Sequence, residues 1–264
     1  SYRIRVANAA ERPLDVSITA NQEAVLIEQV ESSVASVANY MVSIDWSALS
    51  ADLQGAITIR AAGSEVTVKV SAVVVDTEQT EPMTFVERDG LIAVEAEHFA
   101  RTEEKDGYCW KNLKEYGKTL SSMKIYPLLH NFEKPAEAPA LVYRVLIREG
   151  GDYTLRVITA PTNNLEDGKN MRYAVCADDG EADVVKTLPD ENYNIGGGHW
   201  RPHDWAEGVL NNCHYGENKM TLEAGCHTIT LYGMEAGLVI QKLVLYKGDL
   251  PESYFGPTEN GYTK

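Results

Sequence analysis

Hydrophobic and polar positions alternate with a period of two along most of this chain. In "YMVSIDW", Tyr40, Val42, Ile44 and Trp46 fall on one face, opposed by Met41, Ser43 and Asp45. That is the pattern of a half-buried strand. "GAITIRAAGSEVTVKVSAVVV" holds two such runs around Ala61-Ala62-Gly63-Ser64, a hairpin signal. Further strands are predicted at "ALVYRVLI", "DYTLRVITA", "MRYAVCADD", "CHTITLYG" and "GLVIQKLVLY", with Gly, Asn and Asp clusters between them. Many short strands with regular turn signals imply all-β sandwiches or barrels. The one helical candidate is a turn or two around "WKNLKEYGK".

One segment breaks the pattern. "DTEQTEPMTFVERDG", from Asp76 to Gly90, contains Pro82, carries several charges and has little to bury. It reads as a linker. The expected organisation is a small β-sandwich over residues 1–78, a linker over 79–90, and a larger jelly-roll-like sandwich over 91–264.

Charge and composition narrow the function. With 24 Lys and Arg against 39 Asp and Glu, the net charge of −15 argues against nucleic acid, which requires a cationic surface. No apolar run reaches the length of a membrane-spanning helix. The chain opens in a strand-like pattern at Ser1, without Met, which is expected of a piece cut from a longer precursor. Cys109, Cys176, Cys213 and Cys226 show no metal-binding spacing and are expected as packed thiols, with Cys213–Cys226 the one pairing worth considering.

The chemistry-bearing motifs are few. No phosphate loop, HExxH, GxSxG or nucleophile–base pattern occurs. His199 and His203 are spaced i, i+4 but flank Pro202, where a helix that would aim both at a metal is disfavoured. In "IAVEAEHF", Glu95 and Glu97 would share one face of a strand about 7 Å apart. Neighbours on one strand point in parallel, so they cannot flank a glycosidic bond from opposite sides. They suit either a hard cation such as Ca²⁺ or a charge pairing. The loop "NYNIGGGHWRPHDW" gathers Tyr193, His199, Trp200, Arg201 and His203, flat rings and polar donors of the kind that hold sugar rings. Trp205, before a strand-like run, is expected in the core.

At these residues a family resemblance emerges. "FVERDGLIAVEAEHFAR", "APALVYRVLIREGGDYTLRVITAPTNN", "MRYAVCADD", "GCHTITLYGMEAGLVIQKLVLYKG" and "SYFGPTEN" resemble, in order, the C-terminal region of glycoside hydrolase family 115, the xylan α-1,2-glucuronidases. "VSIDWSALSADLQGAITIRAAGSEVTVKVSA" is similar to the small sandwich preceding that region, and to the immunoglobulin-like BACON modules of gut Bacteroidetes. The resemblance runs from Tyr2 to Asn260.

The second domain is also similar, more distantly, to carbohydrate-binding modules of families 6 and 35. There an "EAE" strand supplies carboxylates to a structural Ca²⁺; Glu95 and Glu97 match it. Those modules place an Asp on the last strand, where this chain has Gln241 and Lys242, so a Lys242 ammonium paired with a glutamate is the alternative to the ion. Because the family's catalytic α/β barrel lies upstream, the resemblance implies a non-catalytic accessory region of a secreted or periplasmic enzyme. Its implied partners are that barrel and plant-cell-wall polysaccharide, and the resemblance also admits a homodimer. A free-standing carbohydrate-binding module and an independent hydrolase are the competing readings, and fold analogy alone carries the first two of the three.

Overall fold

The computed structural model describes residues 1–9, 12–32, 34–75, 80–162, 170–188 and 208–263. It divides into two compact units, Ser1–Asp76 and Thr77–Lys264. Strands carry both. Among the described residues, no helix is long and apolar enough to cross a membrane.

The first unit is a sandwich of two three-stranded sheets. One is built from β1 (Tyr2–Ala7), β4 (Val37–Ile44) and β3 (Val25–Val30), in that order; the other from β2 (Val16–Ala20), β5 (Leu53–Ala61) and β6 (Ser64–Ala72). Alternate residues point inward, so Val25, Val42, Leu53, Ile57 and Ile59 form the core. The alternation of "YMVSIDW" stops one step early: β4 ends at Ile44, and Trp46 opens a short 3-10 turn where it is 59% exposed. Asp45 caps that turn by accepting from the Ser47 amide at 3.1 Å and the Ser47 hydroxyl at 2.6 Å, which is why the strand ends there.

In the second unit two six-stranded sheets face each other. The first has the order β10 (Cys109–Leu113), β11 (Ser122–Tyr126), β18 (Val239–Tyr246), β13 (Gly151–Thr159), β16 (His214–Leu222), with β8 (Leu91–Glu95) also on β18. The second runs β15 (Asp183–Lys186), β14 (Arg172–Ala177), β17 (Gly225–Gly233), β12 (Ala140–Ile147), β7 (Thr84–Val86), with β9 (Arg101–Glu103) also on β12. Tyr143, Tyr153, Tyr173, Phe85, Leu141 and Leu155 are among the side chains sealed between the sheets. Each contributes on the order of 1.5–3 kcal/mol by burial.

Two expectations need correction. The residues expected as linker belong to the second sandwich from Thr84 onward, since β7 pairs parallel with β12. Glu87, whose charge suggests solvent, is 3% exposed because its carboxylate accepts the turn amides of Arg148 at 2.6 Å and Glu149 at 3.1 Å. The helical candidate is β10: Cys109–Leu113 pairs antiparallel with β11, and the chain turns only afterwards.

Strand β18 is buried along its whole length. One face, with Ile240, Leu243 and Leu245, joins the core; the other carries Lys242, Val244 and Tyr246 under the C-terminal segment. A register shift opposite Ile158/Thr159 inserts Gln241 as a bulge, which lets Ile240 and Leu243 both face inward.

Candidate functional site

The acidic pair of "EAE" separates in space. Glu95 ends β8, directly opposite Lys242 on β18, and is 4% exposed. Glu97 lies beyond the strand end, in a turn closed by the His98 amide donating to the Glu95 carbonyl at 2.9 Å. Lys242, 3% exposed, brings its ammonium to 2.9 Å from Glu95 Oε1 and donates to the carbonyls of Phe255 at 3.2 Å and Pro257 at 3.1 Å. The Thr119 hydroxyl lies 2.7 and 2.8 Å from the two Glu95 oxygens. Glu97 accepts from Asn112 Nδ2 at 2.6 Å and the Ser121 amide at 3.0 Å. Partial burial pushes the Glu97 pKa up, but these donors outweigh it and hold the carboxyl below its usual value.

This donor set does not suit Ca²⁺. A calcium ion needs six to eight oxygens free to converge on it. Here one carboxylate already neutralises an ammonium, that ammonium uses the nearby carbonyls, and the other carboxylate accepts from Asn112 and Ser121. Among the described residues no group of three or more His, Cys, Asp or Glu side chains is placed to hold a metal.

The carbonyls that Lys242 engages belong to "SYFGPTEN". Gly256, at φ 71°, gives the bend that folds this segment back over the outer face of β18. Glu259 then accepts from the Glu95 amide at 2.8 Å and lies 2.8 Å from His98 Nδ1. Asn260 Oδ1 accepts from the Ala93 amide at 2.9 Å, and its Nδ2 donates to the Val86 and Leu91 carbonyls at 2.8 and 2.9 Å.

Between this strap and the sheet lies a cavity of about 640 Å³. Its floor comes from β13, β16 and β18, and residues 250–257 form one wall. Tyr215, Tyr254 and Phe255 line it while remaining 50%, 51% and 59% exposed. Arg156 lies 4.2 Å from the Tyr215 ring centroid and pairs with Glu217 at 2.6 Å. Lys118 reaches over the Tyr254 ring at 4.2 Å and lies 3.5 Å from Cys213 Sγ. Among the described residues, no carboxylate pairs with Lys118. Gln241, at the bulge, accepts from the Lys118 amide at 3.0 Å and donates to the Asn212 carbonyl at 3.2 Å. Flat rings, planar and tetrahedral cations and amides around one concavity are a donor set for a polar ring-shaped ligand.

The aromatic loop expected from sequence, with Tyr193, His199, Trp200, Arg201 and His203, and Trp205 beside it, lies outside the described residues. Sequence reasoning missed Lys118, Arg156, Tyr215 and Tyr254 because they come from separate elements; the only local signal was Tyr254 in the distinctive tail. The Cys213–Cys226 pairing is not made: all four cysteines are free, and Cys213 leads into β16 while Cys226 lies in β17 of the opposite sheet.

No curated protein matches the chain. The structure is similar to the family GH115 4-O-methyl-α-glucuronidase BtGH115A, with specificity for decorated arabinogalactans, at 13% identity and a TM-score of 0.45, covering 62% of this chain and 18% of that one. It is also similar to the C-terminal family 6 module of LamC, a laminarinase of Zobellia galactanivorans, at 14% identity and a TM-score of 0.38, covering 60% of this chain and 99% of that one. A family 35 carbohydrate-binding module from Clostridium thermocellum matches at 9% identity and a TM-score of 0.39, over 60% of this chain and 98% of the module. The chain thus spans under a fifth of the GH115 enzyme's length. The sequence profile of the glycosyl hydrolase family 115 C-terminal domain matches residues 84–259, and the chain belongs to that family.

Proposed function

We propose that this chain is a non-catalytic accessory part of a secreted glycoside hydrolase, supporting a catalytic barrel elsewhere in the same polypeptide and contacting glycan at the cavity under the strap. Support for the accessory role comes from the family match to a C-terminal domain and from the carboxylates. Glu95 is neutralised by Lys242 and Glu97 accepts from Asn112 and Ser121, so both carboxylates are held by structural partners. The glycan reading is carried by the half-exposed rings of Tyr215 and Tyr254, each with a cation above it, inside one concavity. Sugar rings offer apolar C–H faces to such platforms. Lys118, with no carboxylate partner among the described residues, favours an acidic sugar over a neutral one.

Calorimetric titration of glucuronoxylan oligosaccharides and their neutral counterparts into the full chain tests this. Binding is expected, tighter for the acidic series, and weakened roughly tenfold by Tyr254→Ala, the equivalent of about 1.4 kcal/mol for one lost ring platform. Absence of binding at millimolar sugar would end the glycan reading. The same preparation should release no glucuronic acid from xylan; turnover abolished by Glu95→Gln or Glu97→Gln would overturn the accessory role.

A further inference from the structure

The outer face of the small sandwich carries a concavity of its own. Ile4 and Val6 of β1 pack toward the core with Val42 of β4, so Arg3, Arg5 and Asn39, of opposite parity, face away from it. In the β1–β4 ladder Arg5 stands directly opposite Asn39, and Val30 of β3 flanks Asn39 on its other side. The β3–β4 connection borders the same face. It is fixed there: the Ala35 and Ser36 carbonyls accept from the Leu14 and Asn8 amides at 3.2 and 2.8 Å, and the Ser32 hydroxyl donates to the Val34 carbonyl at 3.1 Å. Between the arginines and this connection lies a cavity of about 260 Å³, with Glu31, Val34, Val37 and Asn39 in its lining.

The polar groups of this cavity are unmatched. Asn39 is 6% exposed, yet its Oδ1 has no hydrogen-bond partner. Buried acceptors left in that state are rare, because they forfeit the bond that water supplies in the unfolded chain. Arg3 and Arg5 are exposed and lie about 7 Å apart as i, i+2 on one face of the strand. Among the described residues neither has a carboxylate partner, and Glu31 pairs with no cation. Two guanidinium groups and a carboxylate thus line one small cavity without pairing.

We propose that this cavity binds one uronate residue of an acidic glycan, at a site separate from the cavity under the strap. Arg3 and Arg5 take the carboxylate, which a guanidinium fork meets with two parallel hydrogen bonds. Hydroxyls surround a sugar carboxylate, and they supply the donors that Asn39 Oδ1 and the Glu31 carboxylate accept. Val34, 50% exposed, and Val37 meet the C–H face of the ring. The volume falls below the roughly 300–1,000 Å³ of sites for drug-sized ligands, so it suits one ring. An acidic side chain satisfies less of the set, because the carbon beside an Asp or Glu carboxylate carries no donor. An inorganic anion offers no C–H face to the valines.

Amide NMR of the full chain titrated with methyl β-D-glucuronide tests the proposal. Shifts are expected at Arg5, Val37 and Asn39, saturating with a dissociation constant on the order of millimolar, as suits a ligand of this size. Methyl β-D-glucoside, N-acetylaspartate amide and inorganic phosphate should each bind there at least about tenfold more weakly. Arg3→Gln and Arg5→Gln change exposed side chains, so the fold should survive while glucuronide affinity falls about tenfold. Asn39→Leu replaces the unpartnered amide by an apolar side chain of similar size. It should weaken binding without lowering the melting temperature, because no bond is lost in the free protein. Tyr254→Ala should leave these shifts unchanged, so failure of the strap cavity to bind glycan is read separately. Silence at the three amides would overturn the proposal. So would an equal response to the glucoside, the aspartate amide or phosphate, full affinity in Arg5→Gln, or a lower melting temperature in Asn39→Leu.

Discussion

A lysine and a glutamate that are both nearly sealed from water remain charged only if their protons and lone pairs are occupied. Lys242 meets the condition fully: its three N–H groups go to Glu95, Phe255 and Pro257. Glu95 adds the Thr119 hydroxyl. Such a pair adds little net stability over a well-packed apolar pair, but removing one member strands the other. Lys242→Met should therefore cost about 3–5 kcal/mol in urea unfolding, and adding Glu95→Leu should recover much of that loss. A Lys242→Met chain within about 1 kcal/mol of wild type would mean the pair is not the buried couple described here. The same occupancy governs the metal question. With an ammonium already at the carboxylate, calcium and a chelator should give the same melting temperature. A rise of several degrees with calcium would reinstate an ion, since a ligand selective for the folded state must stabilise it.

At the scale of elements, the C-terminal strap completes a sheet edge with side chains in place of a strand. β8 has β18 on one side; on the other, Asn260 and Glu259 bond the amides of Ala93 and Glu95. Asn260→Ala would leave the buried Ala93 amide and the Val86 and Leu91 carbonyls short of a partner, a loss of about 2–3 kcal/mol. Hydrogen exchange at Ala93 should accelerate accordingly, and unchanged protection there would refute the edge-completing role. This arrangement also marks where the sequence stops being informative. Strands with inward alternation, such as "DYTLRVITA" and β5, are legible because one face is buried and the other is at least partly wet. β18 blurs the pattern, since the strap covers its outer face and a bulge shifts its phase. Glu87 was legible only as a charge, because its burial depends on turn amides some sixty positions away. The Lys242–Glu95 contact was readable as an alternative once the two were placed on adjacent strands. The cavity was not, because Lys118, Arg156, Tyr215 and Tyr254 are joined only by the folded sheet and its strap.

For the molecule as a whole, ionisation should set one optimum of stability in mild acid. Among the described residues three carboxyls are held below their usual range: Asp45 by the Ser47 hydroxyl and amide; Asp178, against its partial burial, by His227 and the Thr228 amide; and Glu97, against its partial burial, by Ser121 and Asn112. A depressed carboxyl stabilises the fold above its unfolded pKa and loses that contribution as pH falls through the folded value, so the acid limb should begin near pH 4, roughly the unfolded carboxyl range. On the other side stands His227. Burial opposes its charge, but the Asp178 carboxylate at 2.7 Å and the Glu223 carbonyl at 2.9 Å outweigh that and raise its pKa. A raised histidine contributes fully below its unfolded pKa of about 6.5 and loses the contribution as pH climbs through the folded value. Glu235, raised by burial despite Arg172, acts in the same direction, since ionising it costs more in the folded chain than in the unfolded one. Self-repulsion agrees: the net charge is −15 at pH 7 and shrinks toward the isoelectric point near 4.8. The melting temperature should therefore peak between about pH 4.5 and 6.5 and fall by a few degrees toward about pH 9. His227→Gln should flatten the alkaline limb while leaving the acid limb in place. A melting temperature that climbs steadily from about pH 6 to 8 would contradict the signs of the His227, Glu235 and self-repulsion contributions together.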